Sequence, residues 1–220
     1  MEKPEDFIRI YLNVLSDELC DDIIKAFEEV TSNANLSKYT QVTDAPEVRI
    51  DHALELSEPL FNKKDLCIKI DKELQKYFTI YCDEFELYAP STKVPDPAFT
   101  HLNMFKVQRT PPGGGFTWWH YEQMDTQRVM YFTREVTWMI YLNDMPLNDA
   151  ETEYYYFNKK IKPTKGSLVL WPAGWTHLHR GNTVTTQNTK YIVTGWYSKI
   201  FPSMYNNIPK SMHWRLQKLQ

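Results

Sequence analysis

The sequence predicts a mainly β fold with flanking helices, its core a double-stranded β-helix (jelly roll). Three observations carry this. From residue 104 onward the chain breaks into short aromatic and β-branched runs separated by turns, the pattern of many closely spaced strands. Aromatic residues make up 15% of the chain (7 Trp, 14 Tyr, 11 Phe), and such rings pack well on pleated surfaces. Helical periodicity is confined to two stretches near the start.

The first helix opens at Ser16-Asp17-Glu18-Leu19, a capping residue followed by acidic first-turn positions. Leu19, Ile23, Ile24 and Phe27 then recur at helical spacing to about Val30. Residues 62–81 repeat the pattern with Leu66, Ile70, Leu74 and Phe78. The stretch 31–59 between them is polar and irregular, and reads as a loop or a substrate-facing arm. Pro90, Pro95 and Pro97 mark a break. Strands are then expected at 104–109, 117–121, 135–142, 152–157, 167–171, 176–180 and 189–199. The turns carry the expected breakers: Pro111-Pro112-Gly113-Gly114-Gly115, Asn148-Asp149, Lys165-Gly166 and Pro172-Ala173-Gly174. The organisation predicted is one domain over 1–220. Residues 1–100 form a helical and loop support, 101–200 the jelly-roll core, and 201–220 a tail with a short Met212-His213-Trp214-Arg215-Leu216 segment.

At 220 residues the chain is long enough to bury a sizeable core. The net charge of −3 argues against a nucleic-acid backbone as the main partner. Cys20, Cys67 and Cys82 are odd in number and form no CxxC or Cys/His pair, so they read as free thiols in a reducing compartment. The charged start lacks a signal-peptide core, and no apolar run approaches the roughly 18 residues that span a bilayer. The expectation is a cytoplasmic protein without a membrane partner; oligomeric state is not legible.

Two segments carry chemistry: Trp119-His120-Tyr121-Glu122 and His177-Leu178-His179-Arg180-Gly181, followed by Lys190. Residues two apart on a strand share a face, so His120 and Glu122 point one way, and either His177 or His179 can complete the set. Two imidazoles and one carboxylate hold non-haem Fe(II) and leave positions open for a co-substrate and O₂. Three protein ligands plus water also describe a catalytic zinc site. Lys190 sits eleven positions past His179, ahead of the apolar run Tyr191-Ile192-Val193-Thr194-Gly195-Trp196, and a cation there needs an anion beside it. An acidic co-substrate, and with it iron, fits that arrangement better than zinc.

Taken in order, these pieces resemble the Fe(II)/2-oxoglutarate-dependent dioxygenases, and within them the prolyl-4-hydroxylase-like branch. The match runs from about Phe105 to Tyr197, with the helix opening Leu15-Ser16-Asp17-Glu18-Leu19-Cys20 as a further likeness. Its elements are the Gly-rich turn before Trp119-His120-Tyr121-Glu122, then Arg134, Thr137, Tyr141-Leu142-Asn143-Asp144 and Thr152. Lys165-Gly166, Trp171-Pro172-Ala173, His179-Arg180-Gly181-Asn182-Thr183-Val184, Lys190 and Trp196 follow.

The resemblance implies that His120, Glu122 and His179 hold Fe(II), with 2-oxoglutarate as co-substrate alongside O₂. It implies that Lys190 and Tyr141 receive the far carboxylate of 2-oxoglutarate, with Thr194 and Trp196 lining the same pocket. Glu122 stands where the family more often has Asp. Asp149-Ala150-Glu151-Thr152 stands where the family often has Gly-Gly-x-Thr, and the strand Val107-Gln108-Arg109 lacks a tyrosine found in several prolyl hydroxylases. Gln108 and Arg109 are therefore read as taking over part of the co-substrate contact, and His177 and Trp119 as supporting or substrate-side residues. Trp118, Trp119, Tyr121, Trp175 and Tyr154-Tyr155-Tyr156 offer rings for an aromatic substrate groove. The activity implied is hydroxylation of a C–H bond of a peptidyl or protein side chain such as proline. The competing readings are a hydroxylase of a free amino acid or small metabolite, a zinc hydrolase, and a non-catalytic metal-binding jelly roll.

Overall fold

A computed structural model describes residues 6–87, 99–101, 104–123 and 132–200. The expected proline break at Pro90, Pro95 and Pro97 and the 201–220 tail lie outside the described residues.

The two helices form where the periodicity places them. Helix α1 (Asp17–Ser32) is capped by Ser16, whose hydroxyl accepts from the Leu19 amide at 3.2 Å; such a cap is worth about 1 kcal/mol. It buries Cys20, Ile23, Phe27 and Val30, one face at helical spacing. Helix α2 (Lys64–Phe85) buries Cys67, Ile70, Leu74, Phe78 and Tyr81 in the same way.

Twelve strands pair into one curled sheet among the described residues, all antiparallel. They are β1 (Arg9–Tyr11), β2 (Gln41–Ala45), β3 (Arg49–Glu55), β4 (Phe99–His101), β5 (Lys106–Thr110) and β6 (Gly115–His120). Then come β7 (Phe132–Tyr141), β8 (Thr152–Tyr154), β9 (Lys159–Ile161), β10 (Leu168–Pro172), β11 (His179–Gly181) and β12 (Lys190–Ile200). The hydrogen-bonded order is β1-β10-β7-β12-β5-β3-β6-β11-β8-β9, with β2 on β3 and β4 on β12. The mainly β jelly-roll expectation holds. Five strands escaped it: β1, β4, β9, and the hairpin β2–β3 inside the stretch that read as a loop or arm.

Strand alternation sorts the side chains onto two faces. Leu54, Val107, Trp138, Val193 and Tyr197 pack with α1 and α2 in one cluster, where Tyr197 stacks on Phe78 at 3.5 Å. Each such large side chain taken out of water contributes about 1.5–3 kcal/mol. The opposite face is concave and carries a second, smaller cluster of Met139, Tyr141, Tyr154, Val169, Trp171 and Ile192. The helices thus plug one face of the sheet, which leaves the other free to enclose a site.

Two expected strands are shorter than read. Residues 152–157 keep strand geometry only to Tyr154 before a turn, and 175–177 form a 3-10 turn rather than the start of a strand. No helix among the described residues is long and apolar enough to cross a membrane.

Candidate metal centre and co-substrate chamber

His120, Glu122 and His179 meet on the concave face, their ligand atoms all within 4.8 Å of one another. His120 ends β6, and β11 pairs antiparallel with it so that His179 lies directly opposite, ring centroids 4.4 Å apart. Glu122 sits two residues beyond the end of the strand. Strand alternation is therefore not what aims it; its amide and that of Gln123 donate to the Ala173 carbonyl at 3.1 and 3.3 Å, which folds the chain back toward the histidines. Glu122 Oε1 lies 3.5 Å from His179 Nε2 and 3.9 Å from His120 Nε2.

Both imidazoles are set for ligation. His120 Nδ1–H donates to the Trp118 carbonyl at 2.8 Å, and His179 Nδ1–H donates to the His177 carbonyl at 2.9 Å. Each bond fixes the tautomer and leaves Nε2, the atom facing Glu122, with its lone pair. Burial, reinforced by the facing His179, pushes the pKa of His120 down to about 4, so its ring is neutral near pH 7. Burial acts on Glu122 in the opposite sense to its neighbours. In the acid range where the carboxyl itself would take up a proton, a hydrogen bond from His179 and the positive charges of His120, His179 and Arg134 outweigh burial and hold it at about 2. Two imidazole Nε2 atoms around an ionised carboxylate are the donor set a hard-to-borderline divalent ion requires.

The carboxylate is held from its other side too. Trp196 Nε1 donates to Glu122 Oε2 at 3.0 Å, and Arg134 Nη1 reaches the Glu122 carbonyl at 3.0 Å and Oε2 at 3.4 Å. The Arg134 guanidinium lies over the Trp196 ring at 3.7 Å.

Two cavities meet at this triad. The inner one is lined by Met139, Thr152, Trp171, Ile192, Thr194 and, at its far end, Lys190, together with Glu122 and His179. Lys190 is buried, and its ammonium donates to the Ala150 carbonyl at 2.7 Å and stands 5.5 Å from the Tyr141 ring centre. Burial pushes its pKa down to about 8. Asp149, the nearest opposing charge, is already engaged by Thr185 and Thr186. An ammonium so placed is a receptor for an anion. Tyr141 is buried and reaches the chamber at one remove, its hydroxyl donating to Thr152 Oγ1 at 2.7 Å. The outer cavity is lined by Arg49, Lys106, Gln108, Trp118, Tyr121, Arg134 and Trp196 and opens outward past His120.

Three predicted site residues lie elsewhere. Arg109 falls on the other face of β5, where it binds Glu28 of α1 at 2.9 Å and covers Phe27, so it takes no part in the chamber. Trp119 is also on the outward face of its strand, packed against Tyr155 and Arg180. His177 is used up: Nε2–H donates to the Asp6 carbonyl at 2.8 Å and Nδ1 accepts from Thr176 at 2.9 Å, so neither nitrogen is left for a metal. Its place on a 3-10 turn, not on the strand with His179, is what turns it away. Conversely, Arg49, Lys106, Phe116, Met139 and Trp171 line the cavities without having been singled out for the site.

Known proteins agree with this geometry. Residues 105–198 match the family model of the 2OG-Fe(II) oxygenase superfamily. Over these residues, a little under half of the chain, the sequence is similar to the 2OG-Fe(II) oxygenases. Fe(II) and 2-oxoglutarate come with that likeness as metal and co-substrate, and the enzyme class is dioxygenase. Solved structures carry the oxygenase fold well beyond the matched stretch. A collagen prolyl hydroxylase of Paramecium bursaria Chlorella virus-1 superposes with a TM-score of 0.65 at 19% identity, over 89% of this chain and 98% of that one. A prolyl-4-hydroxylase of Pseudomonas putida gives 0.62 at 13%, over 90% and 95%. A prolyl hydroxylase of Trichoplax adhaerens, solved with a hypoxia-inducible-factor peptide, gives 0.63 at 16%, over 94% and 89%. None of the curated proteins matches the sequence.

Proposed function

We propose that this oxygenase hydroxylates a peptidyl side chain, proline first among candidates. His120, Glu122 and His179 hold Fe(II), and Lys190 pairs with the far carboxylate of 2-oxoglutarate. The observation that carries the proposal is the order of parts along one passage: buried cation, ligand triad, open mouth. Bound Fe(II) supplies oxidative decarboxylation of 2-oxoglutarate to succinate and CO₂, coupled to hydroxylation of a substrate C–H bond.

The residues of the chain do the positioning. Lys190 anchors one end of the co-substrate. Ile192, Met139 and Trp171 keep the chamber narrow and dry, and Thr152, backed by Tyr141, offers a hydroxyl beside that anchor. Thr194 Oγ1 donates to the Trp138 carbonyl at 2.7 Å, which fixes its methyl and hydroxyl between the two cavities. No side chain needs to act as general acid or base; holding the substrate bond near the metal is the protein's task. Gln108, Trp118 and Tyr121 at the mouth are the surface a peptide meets. The likeness to prolyl hydroxylases, one solved with a peptide, supports the choice of substrate.

We read 101–200 as the catalytic core, supported by 1–100 and followed by a 201–220 tail. Three buried free cysteines support a reducing, cytoplasmic setting.

The test is an anaerobic titration of metal-free protein with Fe(II) and then 2-oxoglutarate. A visible charge-transfer band that needs both, followed by succinate release on prolyl peptides, is the expected result. Tight Zn²⁺ binding with no such band overturns the proposal.

A further inference from the structure

We propose that the mouth of the site binds a carboxylate of the substrate, an acidic side chain close in sequence to the hydroxylated residue, through Lys106 and Arg49. The inference rests on the peptidyl reading above and names the chemistry that reading leaves open.

Strand register puts the two cations together. Strand β3 lies between β5 and β6, with Glu55 opposite Lys106, Ala53 opposite Gln108 and Arg49 opposite Phe116. Cross-strand partners share a face, so Lys106, Gln108 and Arg49 all turn toward the cavity that Glu122 and Trp196 line. Arg49 lies over the Phe116 ring at 4.8 Å, and Phe116 in turn stacks on His120 at 3.7 Å. The cations therefore border the triad itself.

Their charges are not balanced. Arg134 is committed to Glu122, and Glu122 to the metal set. Arg49 is paired at 2.5 Å with Asp51, which is only 5% exposed and so lies beneath the mouth rather than in it. Lys106 has no carboxylate within ion-pair distance among the described residues; its closest polar partner is the neutral Gln41 Oε1, at 3.4 Å. Burial and then the neighbouring Arg49 push the Lys106 pKa below its ordinary range, against the weaker opposing pull of Asp51, Glu122 and Glu55, none of which makes a direct ion pair with it. A half-buried ammonium facing a like charge is costly until an anion arrives. One unpaired ammonium beside an already paired guanidinium matches a single negative charge, hence a carboxylate.

The experiment uses twin peptides with a central proline, carrying Glu or Gln at one of three positions on either side. Binding is measured by calorimetry on the metal-free protein, and succinate release on the Fe(II)-loaded protein. The expected result is that a Glu peptide binds roughly tenfold tighter than its Gln twin, about 1.4 kcal/mol. Lys106→Met and Arg49→Gln should each erase the difference, and Lys106→Arg should keep it. Twins that bind equally overturn the carboxylate site and leave the prolyl reading standing. Failure of every peptide to bind or turn over overturns both. Free L-proline, bound with the same dependence on Lys106, would keep the carboxylate contact but overturn its assignment to a neighbouring side chain.

Discussion

The indole of Trp196 donates to Glu122 Oε2 at 3.0 Å, on the carboxylate oxygen turned away from the two histidines. One oxygen thus faces the ligand set while the other is pinned by Trp196 and Arg134. Glutamate is one methylene longer than the family's usual aspartate, and that extra torsion must be restrained for the ligand geometry to hold. Trp196→Phe keeps the ring under Arg134 and deletes only the donor. We expect metal affinity to fall by about 10- to 100-fold, the usual effect of losing a partner that orients a ligand. A metal titration followed by absorption checks this; unchanged affinity would show that Arg134 alone suffices.

Lys190 makes opposite predictions for stability and binding. Its folded pKa of about 8 lies below the ordinary 10.5, so folding disfavours its charged form. Above pH 8 the unfolded chain holds more protons than the native one, and stability from this group rises with pH up to about 10.5. The co-substrate follows the reverse course, because a dicarboxylate needs the ammonium. Its affinity should weaken about fivefold between pH 8 and pH 9 in the metal-loaded protein, and about tenfold per unit above that. Lys190→Met should raise the unfolding midpoint of the co-substrate-free protein at pH 7, by an effect on the order of 1–2 kcal/mol, while abolishing 2-oxoglutarate binding. Calorimetric binding across pH reads the first expectation and thermal unfolding the second; a flat pH profile would remove Lys190 from the chamber.

What the sequence discloses and what it hides follow one physical rule. Apolar periodicity announced α1, α2 and most of the strands from 104 onward because each buries an ordinary hydrophobic face. Strand β3 breaks that pattern. Arg49, which lines the outer cavity, and Asp51, buried beneath it as its partner, are charged because they serve a polar site, so the run read as an irregular loop. Arg109 misled for the mirror-image reason: it lies on the helix-facing side of β5, its charge met by Glu28. The ligand triad was legible because short spacing places His120 near Glu122, although a turn tied to Ala173, not strand alternation, aims the carboxylate. Ala150 shows the cost of a departure. It occupies the left-handed region at φ 54°, in the segment where the family often carries glycines, and its carbonyl is the one Lys190 grips.

His177 separates support from ligation. With both ring nitrogens bonded and the ring against Phe157 at 5.1 Å, it ties the segment around Asp6 to the sheet. His177→Ala should leave most 2-oxoglutarate turnover intact and cost about 1–3 kcal/mol of stability, the range for an orphaned buried partner. His179→Ala should abolish turnover. The two variants compared by succinate release and thermal unfolding give the answer; an inactive but stable His177→Ala protein would reverse the assignment.

Gly195 sits between two site residues, Thr194 and Trp196, and its missing side chain is what lets β12 pass Trp138. A Cβ there would press into the Met104 carbonyl oxygen and the Trp138 ring, both inside van der Waals contact. Trp138 is buried and pairs with Gly195 across β7 and β12, so neither neighbour can retreat without opening the core between sheet and helices. Gly195→Ala should therefore cost about 1–3 kcal/mol or more, as overpacking does. Because relief of the clash requires β12 to shift, Thr194 and Trp196 should move with it. Residual folded protein should then bind metal more weakly than the wild type. Unfolding midpoint and metal titration on the same sample test both parts, and a stable Gly195→Ala protein with unchanged metal affinity would contradict them.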